Sequence, residues 1–146
     1  MIFTPRITSS ISWIVVRVLV MICGMIKPLQ TVWLCERGCV AVSTASYGHI
    51  RGDLKILRSE NDTVDLNRFD HVVQGNLHIG SGVFEIQDCP GSNVCLKVGM
   101  HPGNYGVRVY FLNCVDTDEY EGDDRYIVEI WPSAKVEQRV LKRLKR

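Results

Sequence analysis

The sequence predicts an all-β fold, an antiparallel β-sandwich of about seven strands with a short C-terminal helix. Three observations lead there. Short runs with apolar residues at every second position recur from residue 39 to residue 131. Turn-forming residues separate them. No segment with helical spacing lies between them, so a parallel sheet wrapped by helices is excluded.

The chain opens on a different text. "ISWIVVRVLVMICGMI" (Ile11–Ile26) is strongly apolar, flanked by Arg6 and Lys27, and carries Arg17 inside it. It is shorter than the roughly 20 apolar residues of a spanning helix, and a central Arg costs about 2.5–3.5 kcal/mol on insertion. "CGMIKPLQ" is a poor signal-peptidase site. Three readings stand open for residues 1–32: a weak membrane anchor, a helix or pair of strands buried in the core, or an extension outside the domain.

From Trp33 the alternation begins. "CVAVSTA" puts Val40, Val42 and Thr44 on one face, and "DLKILR" does the same with Leu54 and Ile56. "HVVQGNLHI" follows with Val73, Leu77 and Ile79, and "GVFEIQ" with Phe84 and Ile86. "VCLKV" carries Val94, Leu96 and Val98, "YGVRVYF" carries Tyr105, Val107, Val109 and Phe111, and "RYIVEIW" carries Tyr126, Val128 and Ile130. A period of two marks strands with one buried face. "SENDT", "IGSG", "CPGSN" and "HPGN" supply the turns, Gly through positive φ and Pro through its fixed bend. "RGD" at Arg51–Asp53 reads as a hairpin turn between strands, not an adhesion motif. The domain therefore covers residues 33–132. In the tail, 133–146, Val136, Val140, Leu141 and Leu144 recur at helical spacing among basic residues, which predicts a short amphipathic helix.

Composition is that of a globular chain, with 46% hydrophobic and 23% charged residues and a net charge of +1. No global field calls for nucleic acid. Charge is nevertheless segregated. The tail "KVEQRVLKRLKR" holds six Lys/Arg against one Glu, and "DTDEYEGDD" holds six carboxylates. Six cysteines lack zinc spacing and read as buried thiols, with a Cys89–Cys95 disulfide as the alternative in an exported protein.

The acidic stretch fails the calcium-loop pattern, because Tyr120 and Glu121 stand at the fifth and sixth positions counted from Asp116. Three readings remain: a solvated hairpin loop, an irregular cation site, and a surface for a basic partner. Tyr120 and Tyr126 beside the charges are of the kind that anchors interfaces. His71 and His78 fall on opposite faces of one strand and make no metal pair. No nucleophile elbow, phosphate loop or zinc-protease motif is present, so the reading is non-enzymatic, with no cofactor and no bound metal.

"FDHVVQGNLHIGSGVFEIQDC" and "VGMHPGNYGVRVYFLNCVDTDEYEGDDRYIVEIWP" together resemble the competence protein J family of small bacterial DNA-entry nuclease inhibitors. The shared outline is a turn with Met100, Pro102, Gly103 and Tyr105, an Arg-containing strand, an acidic loop, and a closing strand with Asp124, Tyr126 and Trp131. "GCVAVSTASYGHIRGDLKI" resembles that family's first two core strands. The resemblance implies a β-rich, non-catalytic protein that inhibits a nuclease or toxin by contact. It makes Asp116, Asp118, Glu119, Glu121, Asp123 and Asp124 candidate partner contacts, with Tyr120 among them, in a cytoplasmic immunity-type protein. It also implies an acidic or mixed first segment that adds a strand, whereas residues 1–30 here are apolar and basic. A calcium- or ligand-binding sandwich, and an accessory protein anchored to membrane by residues 11–26, are the competing readings.

Overall fold

The structure is a computed structural model and describes residues 6–10, 13–17, 33–35, 38–45, 49–88, 94–114 and 123–145. In chain order its strands are β1 (Arg6–Ser10), β2 (Trp13–Arg17), β3 (Trp33–Cys35), β4 (Cys39–Ser43), β5 (His49–Ile56) and β6 (His71–Ile79). There follow β7 (Val83–Asp88), β8 (Val94–Gly99), β9 (Gly103–Leu112), β10 (Arg125–Pro132) and β11 (Arg139–Lys142). They form a six-stranded sheet ordered β1-β5-β10-β9-β6-β11 and a five-stranded sheet ordered β3-β4-β2-β7-β8.

The seven alternating runs are β4 to β10, and their inward residues build the core between the sheets. Val40, Val42, Phe84 and Ile86 come from the five-stranded sheet. Leu54, Val73, Leu77, Ile79, Tyr105, Val107, Val109, Phe111, Tyr126, Val128 and Ile130 come from the other. Burying each large apolar side chain stabilises by about 1.5–3 kcal/mol. Val94 departs from the expectation and is exposed, at the start of edge strand β8.

Several expectations need correction. The sheets are not purely antiparallel, because β10 runs parallel to β5, with Val128 opposite Leu54. Alternation reports the buried face but not the strand direction, so periodicity could not reveal this. Arg51–Asp53 is no turn. It lies within β5, paired with β1 on one side and β10 on the other. The tail is no helix either. Arg139–Lys142 pairs with β6, with a register shift between Val140 and Lys142. Fourteen residues are marginal for an isolated helix, and the open edge of β6 offers backbone partners that win over helical spacing.

Two described stretches of the N-terminal segment, Arg6–Ser10 and Trp13–Arg17, are strands. β1 pairs with β5 at one edge, and β2 lies between β4 and β7 in the middle of the other sheet. Trp13–Arg17 is therefore strand within the stretch that was a candidate anchor. Among the described residues no helix is long and apolar enough to cross a membrane.

The outward face of the six-stranded sheet is also covered. Trp131, Tyr110 and Val72 are buried there, apart from the central core. The loop from residue 57 to 70 lies over it, ending in a 3-10 turn at Leu66–Arg68 capped by the Asp65 carboxylate on the Asn67 N–H, 3.0 Å. Gly106 of β9 is required by close approach, since a Cβ there would collide with the Trp131 ring and Val136.

Candidate functional site

The acidic loop joins β9 to β10. Asp116, Asp118, Glu119, Tyr120 and Glu121 lie outside the described residues, so the geometry available is that of the loop's two roots. At the first, Asn113 adopts a left-handed backbone, φ 56°, which a short amide side chain tolerates. Its Nδ2 donates to the Asp123 carbonyl across the loop, 3.3 Å. The next residue, Cys114, donates its N–H to Asp70 Oδ2 at 2.8 Å. Its thiol is buried, and burial, then the nearby Asp124 and Asp70 charges, push it up to about 12. Such a thiol stays protonated and unreactive. Cys39 is buried as well, while Cys89 lies outside the described residues.

At the second root two adjacent acids part company. Asp123 is exposed. Asp124 is buried and accepts from the Tyr126 hydroxyl at 2.7 Å. That hydroxyl in turn accepts from the Ala45 N–H, 2.7 Å, just beyond β4. One phenol thus ties the six-stranded sheet to the five-stranded one beneath the loop. Burial raises its pKa far above the ordinary value, so it remains a donor. Tyr126 packs edge-on against Phe111, with centroids 5.1 Å apart. Of the seven residues assigned to partner binding, Asp123 points outward and Asp124 serves as an internal strut. On the surface beside them Arg125 pairs with Asp53.

His71 stands at the same end of the sheet. It is buried, edge-on to Phe111 at 4.8 Å, and its Nδ1 accepts from the Leu144 N–H at 3.2 Å. Burial first, and the Arg143 charge second, lower its pKa below the ordinary 6.5. The unfolded chain therefore takes up this proton before the folded one. Stability from the neutral ring is complete above about pH 6.5 and declines as pH falls below it. Urea midpoints measured at about pH 7.5 and about pH 5.5 are expected to drop on acidification. His71→Gln keeps an acceptor for Leu144 but cannot titrate, and should flatten the profile. An unchanged slope in that variant would assign the acid sensitivity elsewhere.

Away from the loop, the outward face of the six-stranded sheet holds a buried polar network that the sequence reading missed. Arg108, whose side chain is 7% exposed, donates to Gln74 Oε1 at 3.3 and 3.1 Å, to the Asn61 carbonyl at 2.9 Å and to the Tyr110 hydroxyl at 3.4 Å. It also pairs with Glu60 and lies 5.2 Å over the Trp131 ring. The Tyr110 hydroxyl donates to Glu129 Oε2 at 2.6 Å. Burial, then the bond to Glu129, raise the Tyr110 pKa well above its usual value. The signal was present in "VVQGN", "GVRVY" and "VEIW". Their polar residues alternate with the core positions, but aromatic and apolar residues (Tyr110, Trp131, Val72) share their face. A covered face, not a solvated one, carries that mixture.

Two arms reach this network from outside the sheet. Glu60 and Asn61 belong to the 57–70 loop. The Glu137 carbonyl, which accepts from Gln74 Nε2 at 3.3 Å, belongs to the tail. Lys142 completes the link by donating to the Leu66 and Asn67 carbonyls, 3.1 and 3.3 Å, at the C-terminal end of the 3-10 turn. Among the described residues no group of three or more His, Cys, Asp or Glu could hold a metal ion.

No family model matches the chain, and no curated protein does. Solved structures do match. The crystal structure of ComJ from Bacillus subtilis, inhibitor of the DNA-degrading activity of NucA, superposes with a TM-score of 0.63 at 13% identity, over 91% of this chain and 99% of that one. The crocagin biosynthetic gene J product gives a TM-score of 0.59 at 14% identity over the same shares. The chain thus has a ComJ-like fold, the fold that the sequence resemblance implied.

Proposed function

We propose that the chain is a non-catalytic, cytoplasmic inhibitor or immunity-type protein that engages a basic protein, such as a nuclease, through the acidic β9–β10 loop. The observation that carries this reading is the anchoring of the loop. Cys114 on Asp70 and Asp124 on Tyr126 hold its two roots, and the sequence between them carries five further carboxylates. A loop on a rigid frame can present charge to a partner while losing little entropy on binding. A nuclease groove is built for phosphates and so attracts carboxylates, which speed encounter more than they slow release. The ComJ-like fold agrees with this, since ComJ itself is described as an inhibitor of a DNA-degrading activity.

The test is association with a basic endonuclease, NucA in the first instance, by biosensor and by DNA degradation. Changing Asp116, Asp118, Glu119, Glu121 and Asp123 to their amides should slow association by about tenfold and flatten its salt dependence. Asp124 is left intact so that the loop keeps its root. Binding of equal speed and salt response in this variant would refute the reading.

A further inference from the structure

The outward face of the six-stranded sheet contains a cleft of about 260 Å³, under the 57–70 loop. Its floor is Lys55 of β5, Tyr110 of β9, and Ile127 and Glu129 of β10, and its wall includes Arg68, Phe69 and Asp65, whose carboxylate is engaged by the Asn67 N–H. The Phe69 and Tyr110 rings meet at 4.5 Å. The geometry points to a binding site for a free α-amino acid with an aromatic or branched side chain.

The argument starts from Glu129. It is 3% exposed, yet among the described residues its carboxylate accepts one hydrogen bond, from Tyr110. A carboxylate has about four acceptor positions. Arg108, the cross-strand neighbour of Glu129, reaches it only through the Tyr110 hydroxyl, so acceptor positions remain toward the cleft. Lys55 stands opposite Glu129 in the parallel ladder, on the same face of the sheet. Even so, the ion pairs found among the described residues do not include the two. The cleft therefore offers an acceptor for an ammonium group at its floor and a cation for a carboxylate beside it, with Arg68 as a second cation at the wall. Phe69, Tyr110 and Ile127 supply the apolar surface between. A zwitterion with a compact apolar body matches all three. A phosphate or nucleotide matches poorly, because Glu129 would repel it. The volume falls below the range of about 300–1,000 Å³ usual for drug-sized ligands and suits a molecule the size of one residue.

The test is calorimetric titration of the full chain with L-phenylalanine, L-tyrosine and L-leucine. A dissociation constant on the order of 0.1 mM is expected for the best of them. N-acetyl-L-phenylalanine, which lacks the ammonium, should bind at least about tenfold more weakly. Glu129→Gln, which keeps an acceptor for Tyr110, should reproduce that loss on L-phenylalanine. Lys55→Met should weaken L-phenylalanine but leave L-phenylalaninamide unchanged, since the amide has no carboxylate to lose. If Glu129→Gln fails to fold, the acetylated and amidated probes on the unaltered chain decide the matter. No binding of the three amino acids at about 10 mM would overturn the proposal. So would acetylated phenylalanine binding as tightly as the free amino acid. Amide binding tighter than the free acid would point to the end of a peptide and equally refute a free amino acid.

Discussion

Replacing Arg108 by Met is expected to destabilise the protein by about 3–5 kcal/mol, because several buried or part-buried acceptors lose their donor at roughly 1–3 kcal/mol each, while the half-exposed Glu60 is left to water. Methionine fills similar length but donates nothing. Gln74 Oε1, the Asn61 carbonyl and the Tyr110 hydroxyl would all lose a donor that reaches them now. Trp131 would lose the cation above its ring. With about 2–4 °C of melting temperature per kcal/mol at this size, the midpoint should fall on the order of 10 °C. Arg108→Lys should recover little, because a single ammonium cannot serve acceptors on two elements and stack on an indole together. Urea unfolding measures both variants. A loss under about 1 kcal/mol for Met would mean that the network is matched by water in the unfolded chain and holds nothing together.

The second large effect is expected at Tyr126. Tyr126→Phe keeps the ring in the core and removes one oxygen. That oxygen both accepts from Ala45 and donates to Asp124. A part-buried N–H and a buried carboxylate each lose a partner, for a combined cost of about 3 kcal/mol. Amide exchange offers a local readout that melting does not. The Ala45 N–H should lose its protection while those of central β9 keep theirs. Retained protection at Ala45 would show that the two sheets are joined at this end by packing alone.

How far the residues themselves foretold this molecule differs from element to element. Val73, Leu77 and Ile79, or Val107, Val109 and Phe111, repeat at the two-residue spacing of one strand face, and they lie in the core as read. β2 was harder, because "WIVV" is apolar at successive positions and a continuous apolar run has no period to read. β11 was hidden differently. Val140 and Leu144 sit four apart, a helical interval, but the strand is irregular there and both still pack against the core. At the candidate site the six carboxylates looked alike. Asp123 and Asp124 are neighbours where a strand begins, so their side chains leave the chain in opposite directions, one into water and one under the loop. The Arg108 network escaped notice because its cover comes from segments without regular structure, whose landing place no periodicity announces.

The placement of β2 also has a consequence for how the protein is made. Ile14, Val15 and Val16 leave the ribosome well before one of their two neighbouring strands, β7, which is roughly seventy residues downstream. At about 5–20 residues per second, translation takes several seconds to deliver it. For that interval an apolar segment waits without the strand that completes its sheet, and the parallel partner of β5 arrives later still. Pairings over such sequence distances close slowly even in the finished chain. The nascent polypeptide is therefore a natural client for a chaperone that shields short apolar stretches, and its yield in a cell should respond to the pace of translation through residues 17–86.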